Sequence, residues 1–282
     1  MYHGKLGSFL LGLAAAIAVP ALLSGGAWAE TPEEIRARLA DPRLSRYVVG
    51  DQYSGYVWAT DQTRAMQDDD DKNPGFMWVD RARVLWSTVD GAAGRSCASC
   101  HGDVEQSMLG VATRYPRWSE ARGKPITVER QINICRAAGM KASEWKYESE
   151  ELLGMTALVR LQSRGMPLDV SIDGPMKAWY DKGREFYTTR RGLLDFSCKH
   201  CHDDHPGQKL RSETLSQGQV NGFPTYRLKW QGLGSLHRRF VGCNQDVRSE
   251  PYPLGSDEYV ALEVFLTGRG RGLPIETPSV RK

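Results

Sequence analysis

The pentapeptide Cys97-Ala98-Ser99-Cys100-His101 returns 101 positions later as Cys198-Lys199-His200-Cys201-His202, and nothing else narrows the possible folds of this chain as far. In a C-x-x-C-H motif two thiols add to the vinyl groups of a haem, and the adjacent histidine is delivered to its iron. One such motif can arise by chance. Two at a fixed offset predict two covalent c-type haems, attached through Cys97, Cys100, Cys198 and Cys201, with His101 and His202 as proximal iron ligands. The alternative, a dithiol or half of a zinc site, needs further Cys or His at zinc-finger spacing. Only His200 and His205, around the second motif, offer it.

The start of the chain predicts export. Lys5 supplies a positive n-region, Phe9 to Leu23 an apolar run, and Ala27-Trp28-Ala29 a small-x-small cleavage site, so residues 1–29 read as a signal peptide. The exported protein would begin near Glu30 and work in the periplasm. A membrane anchor is the weaker reading, because the apolar run falls short of a full span. Without Lys5 the chain carries 36 basic against 34 acidic side chains. That near balance gives no bias toward nucleic acid or a membrane surface.

The expected fold is mainly α: two tandem cytochrome c-like domains made by internal duplication, behind a short N-terminal extension. The extension spans 30–73, with one short helix over Glu33 to Leu39 and an acidic, solvated run at Asp68 to Asp71. Pro74 and Gly75 mark the boundary. The first domain is expected over 74–172 and the second, with the active site, over 173–282. Trp78, Asp80, Trp86 and Ser96 precede the first motif as Trp179, Asp181, Tyr187 and Ser197 precede the second. Behind the motifs each half offers a lone cysteine, an apolar helical pattern and a Gly-Pro stop: Cys135, Leu152 to Val159 and Gly165 to Pro167, then Cys243, Tyr259 to Leu266 and Gly272 to Pro274. The aromatic rings, with Phe265, are expected to pack helix on helix. No sizeable sheet is expected.

The distal iron ligands decide what kind of cytochrome this is. Many electron-transfer cytochromes c place a Met there. No Met follows Cys201, which leaves His205, His237 and Cys243 for the second half. Cys243 lies 42 residues past Cys201 and Cys135 lies 35 past Cys100, with Met108, Met140 and Met155 as competitors in the first half. Cysteine is the one ligand type present at the corresponding place in both halves. Two thiolate-ligated haems would have low potentials. A Cys135–Cys243 disulfide, or two buried thiols acting as small hydrophobes, is the remaining reading.

Surroundings separate the two cysteines. Ile132, Ile134 and Ala137 flank Cys135, which suits a quiet ligand, whereas Arg238, Arg239 and Arg248 crowd Cys243. Cations favour a thiolate and attract an anion, and arginine holds an oxyanion by paired hydrogen bonds. A surface basic cluster is the competing account.

Tyr53-Ser54-Gly55-Tyr56, Asn73-Pro74-Gly75, both haem motifs, the Arg-x-x-x-Cys of Arg239 and Cys243 and the closing Arg271-Gly272-Leu273-Pro274 together resemble the SoxA family, the dihaem subunits of SoxAX cytochromes in bacterial thiosulfate oxidation. The resemblance implies an L-cysteine S-thiosulfotransferase that joins thiosulfate to a cysteine of the carrier SoxYZ and releases two electrons. It implies His101 and Cys135 on the first haem, His202 and Cys243 on the second, with Cys243 catalytic and found as a persulfide. Arg239 would bind substrate, and a monohaem cytochrome c, SoxX, would complete a heterodimer and accept electrons. Arg238, Arg248, Arg269 and Arg271 are further candidates for the anion wall. Readings from other classes are a purely electron-transferring dihaem cytochrome, a thiosulfate dehydrogenase forming tetrathionate, and a dihaem peroxidase with an open iron site.

Overall fold

Two helix pairs carry the fold, and each half of the chain supplies one. The computed structural model describes residues 32–211 and 213–282, together with Met1 and Gly4. The signal peptide expected over 1–29 therefore lies outside the described residues, those two positions apart. Helices dominate, in the order α1 (Pro32–Leu39), α2 (Asp61–Asp68), α3 (Phe76–Ser87), α4 (Cys97–His101), α5 (Val104–Ser107) and α6 (Val128–Cys135), then α7 (Glu150–Leu161), α8 (Met176–Thr188), α9 (Cys198–His202), α10 (Leu236–Asp246) and α11 (Asp257–Arg269). Among the described residues no helix is long and apolar enough to cross a membrane.

Helix α3 packs on α7, and α8 on α11. The two C-terminal helices start alike. Ser149 accepts a hydrogen bond from the Leu152 N–H at 3.3 Å and Ser256 one from the Tyr259 N–H at 3.4 Å, each followed by two acidic residues that suit the positive helix end. Leu152 to Arg160 and Tyr259 to Thr267 are buried without a break, as expected of helices surrounded on all sides. A glycine permits close approach at each crossing. A Cβ on Gly154 would stand 2.7 Å from the Trp78 carbonyl oxygen, and one on Gly183 would stand 2.0 Å from that of Ala261.

The expected aromatic core is present: Trp86, Tyr187 and Phe265 are buried, and Trp78 and Trp179 partly so. The halves also interlock in a way their repeat does not suggest. Thr225–Arg227 lies between antiparallel Gly232–Gly234 and parallel Ser279–Arg281, a three-stranded sheet and the largest among the described residues. Its Tyr226, Leu233 and Val280 pack into the first half's core with Val79, Trp86 and Leu158.

The N-terminal extension is stitched onto the second half. Leu44, Tyr47, Tyr56, Val57 and Trp58 form its own small core. Ser54 bonds the buried Glu276 carboxylate, which also accepts from Asn221 at 2.9 Å and pairs with Arg281 at 2.6 Å. The acidic run is partnered rather than merely solvated: Asp68 accepts from the Tyr56 hydroxyl at 2.5 Å, Asp69 from Lys72 at 2.5 Å and Asp70 from Arg164 at 2.6 Å.

Candidate active site

Each C-x-x-C-H segment folds as a single turn of helix with a serine at its N-cap position, Ser96 or Ser197. Ser96 Oγ accepts from the Ser99 N–H at 3.1 Å, while Ser99 Oγ accepts from the Ser96 N–H at 2.9 Å. In α9 a histidine takes the return role, with Ser197 N–H donating to His200 Nδ1 at 3.1 Å. His200 is thereby occupied as a cap. Among the described residues no group of three or more His, Cys, Asp or Glu is placed to hold a metal ion, which argues against the zinc reading.

His202 is held as a ligand must be. Its Nδ1–H donates to the Ser216 carbonyl at 2.7 Å, so Nε2 keeps its lone pair for a metal. Burial pushes its pKa down to about 4 against the pull of that carbonyl, with Arg239 and Arg269 adding to the shift. Gly218, at φ +71°, lies against the imidazole, where a Cβ would stand 3.0 Å from Cγ. The extension fixes this loop: the Gln217 side chain accepts from the Tyr53 N–H at 2.7 Å and donates to the Asp51 carbonyl at 2.9 Å. His101, by contrast, is exposed and lies 5.8 Å from the Trp86 ring.

The expected distal cysteines occupy matching places on matching helices. Thr127 caps α6 and Ser235 caps α10, and the eighth residue of each helix is the cysteine, Cys135 or Cys243. Both face their own motif: Cys135 acts electrostatically on Cys97, and Cys243 on Cys198 and Cys201. Burial, helped by Cys243, pushes the Cys198 thiol up to about 12, and burial likewise raises Cys97 and Cys201. All six cysteines are free, so Cys135 and Cys243 form no disulfide.

One turn before each cysteine the halves diverge. Gln131 Nε2–H donates to Cys135 Sγ at 3.2 Å, at an exposed position. The corresponding residue on α10 is Arg239. Its guanidinium is enclosed although the residue is partly exposed, and the charge of Cys243 strengthens its hold on its proton. None of the ion pairs among the described residues engages Arg239.

The other arginines are spoken for or displaced. Arg269 pairs with Asp203 at 2.7 Å and donates to the Tyr187 hydroxyl and the Gln217 carbonyl, which bolts α11 to the haem-motif loop. Arg238 stacks 4.4 Å from the Trp230 ring, Arg271 lies 3.2 Å from Asp169, and Arg248 is exposed at a turn with φ +57°. His237 is excluded as an iron ligand because both ring nitrogens are used: Nδ1 accepts from the Gly255 N–H at 3.0 Å and Nε2–H donates to Glu263 at 3.1 Å. His205 is exposed and tied to the His200 carbonyl at 2.5 Å. Met140 and Met155 are buried, the latter in the core around α3 and α7, and Met108 packs against that core.

Two residues are new to the site. Gln131 was legible once α6 and α10 are aligned on their cysteines. Arg227, 16 residues before Cys243, carries no local signal. It is buried, bonds Glu213 at 2.7 Å and the Lys282 carbonyl at 2.9 Å, and both burial and the Arg239 charge loosen its proton.

Residues 81–168 match the family described as SoxA/TsdA, cytochrome c domain. The chain is 47% identical to the L-cysteine S-thiosulfotransferase subunit SoxA of Rhodovulum sulfidophilum, over 81% of this chain and 79% of that protein. It is 42% identical to the SoxA subunit of Paracoccus pantotrophus, over 99% of this chain and 97% of that one. Among solved structures it is similar to a chain in the crystal structure of SoxXA from P. pantotrophus, with TM-score 0.79, 44% identity and coverage of 82% of this chain and 87% of that chain. A cytochrome c domain implies haem c. The free cysteine pairs, the oriented His202 and the glycine cradle beside it fit that group.

Proposed function

This chain belongs to the SoxA family of L-cysteine S-thiosulfotransferase subunits, and we propose that its second half houses the site where thiosulfate is joined to a cysteine of a SoxYZ carrier. Two tandem cytochrome c-like domains, 74–172 and 173–282 behind the extension 30–73, would each carry one haem c. Cys97 and Cys100 would attach the first haem, with His101 and Cys135 offered to its iron; Cys198 and Cys201 would attach the second, with His202 and Cys243 offered to its iron. The matched pairs α3 with α7 and α8 with α11, and the matched cysteines of α6 and α10, support the duplication.

The reaction joins the outer sulfur of thiosulfate to the carrier sulfur. One S–S bond forms, the carrier thiol loses its proton, and two electrons leave. Bound haem supplies one-electron acceptance, and a SoxX-type monohaem cytochrome in a heterodimer passes the electrons on. Cys243 is the sulfur that takes part in exchange, free or as a persulfide. Arg239 neutralises the sulfonate end and aligns it toward Cys243 by paired hydrogen bonds. Ser216 and Gly218 hold His202 in the neutral form with its ring fixed. The family's Sox thiosulfate-oxidation chemistry and the apolar leader sequence support a periplasmic setting.

The observation that carries the assignment of the site is the enclosed Arg239, engaged by no ion pair among the described residues, one helical turn from Cys243. The test is thiosulfate-dependent reduction of a cytochrome acceptor with and without carrier. Reduction that requires the carrier thiol is expected. Equal reduction without it, with tetrathionate as product, would overturn the transferase reading.

A further inference from the structure

A second polar centre lies between the helices of the two cysteines. Glu129 in the first turn of α6, Arg160 of α7 and Glu263 and Thr267 of α11 line a cavity with about 10 Å³ of room for a water centre. That is space for one water molecule. Part of Glu129 reaches the surface while its carboxyl is enclosed, and Glu263 and Arg160 are 9% and 8% exposed.

The charges do not touch. Among the described residues Arg160 has no carboxylate within ion-pair distance, and its one hydrogen bond goes to Thr277 Oγ1 at 3.4 Å. A buried guanidinium with so few acceptors needs another partner. One water, accepting from Arg160 and donating to the two carboxylates, supplies it.

The charge count is unbalanced as well. His237, from α10, uses both ring nitrogens here, bonding the Gly255 N–H at Nδ1 and the Glu263 carboxylate at Nε2. Tyr147 stacks on that ring at 6.0 Å and closes the remaining side. Arg160 is the one arginine or lysine lining the cavity beside two carboxylates, which leaves one carboxylate able to take up a proton when negative charge is added nearby. Burial first, then the Glu263 charge, raises the Glu129 carboxyl from its ordinary range.

We propose that Glu129 and Glu263 share one exchangeable proton across a single buried water bound to Arg160, and that this proton follows the electron on the neighbouring haem. The proposal rests on each half carrying a haem. Six residues separate Glu129 from Cys135 on α6 and His237 from Cys243 on α10, about 9 Å along each helix. The carboxyl of Glu129 is itself enclosed, and an enclosed charge feels an added electron more strongly than one in water does. When one electron arrives from the oxidised sulfur, the carboxylate pair takes one proton from solvent and becomes a carboxylic acid and a carboxylate. On reoxidation the proton leaves.

The test uses the holo-complex, with covalent haem first counted by mass. Fewer than two haems would defeat the reading beneath the proposal and leave the proton site without its premise. With two present, reduced-minus-oxidised infrared difference spectra should show a protonated-carboxyl C=O band that Glu129→Gln removes or shifts. At least one midpoint potential should fall as pH rises, by up to about 59 mV per tenfold change in proton activity for one proton per electron, and the slope should vanish in Glu129→Gln. Glu129→Gln keeps the side-chain shape, and the wild-type measurements stand alone should it fail to assemble. No carboxyl band and pH-independent potentials in the wild type, or an unchanged slope in a well-assembled Glu129→Gln, would overturn the proposal.

Discussion

Cys135 and Cys243 close the same eight-residue stretch of capped helix, yet a glutamine amide faces one sulfur and an arginine guards the other. The scaffold around them is shared. What differs is one side chain, four residues earlier, and the charge it carries. A neutral amide can orient a sulfur but offers no charge to an anion. An enclosed guanidinium that no ion pair among the described residues engages keeps its hydrogen-bonding capacity for a ligand. The contrast teaches that the sulfur is common to both halves, and that the charge beside it is what separates them and underlies the proposal that the chemistry belongs to one.

The largest effect that could break this contrast is removal of each sulfur. Cys243→Ala is expected to reduce carrier conjugation to background while both haems remain covalently attached, as read by intact mass. Cys135→Ala should retain turnover. Full activity in the first variant, or equal loss in both, would dissolve the distinction. Arg239→Gln converts the second site to the pattern of the first. Loss of a charged hydrogen bond of about 1.5–3 kcal/mol lowers kcat/KM for thiosulfate by roughly 10- to 100-fold. Gln131→Arg should bring no gain, because the first half lacks the enclosure.

Gly218→Ala sharpens the contrast on the proximal side. Placing a Cβ at φ +71° and against His202 should cost about 1–2 kcal/mol of stability in thermal unfolding. It should disturb the spectrum of the second haem and leave the first unchanged. Disturbance of both would mean that the loop acts globally. The smallest effects belong to Arg248→Ala and Arg271→Ala, at exposed positions. These should change stability by no more than about 0.5 kcal/mol and leave KM for thiosulfate unchanged. A raised KM would enlarge the anion wall beyond Arg239.

Much of this was readable in the chain because it is periodic or local. The haem motifs, the capped helices that end at Gly and Pro, and the two cysteines stand at spacings fixed by helix geometry. The density of arginines near Cys243 was readable too, but density alone could not rank them. Arg269 is claimed by Asp203, 66 residues away, and Arg271 by Asp169, 102 residues away. Glu263 claims His237 across 26 residues. The Gln131–Arg239 correspondence was hidden because loops of unequal length shift the repeat from 101 positions at the motifs to 108 at the cysteines. The extension carries no chemistry of its own in sequence. Its role emerges only when Asp51 and Tyr53 meet Gln217 and so hold the loop on His202.

The central claim is that sulfur handling belongs to Cys243 and not to Cys135. Its most direct test is the mass of the two peptides that contain them, taken from native protein before and after cyanide treatment. The account predicts one additional sulfur on the Cys243 peptide, removed by cyanide, and an unmodified Cys135 peptide. An unmodified Cys243 in every preparation, or the same cyanide-labile sulfur on Cys135, would contradict it.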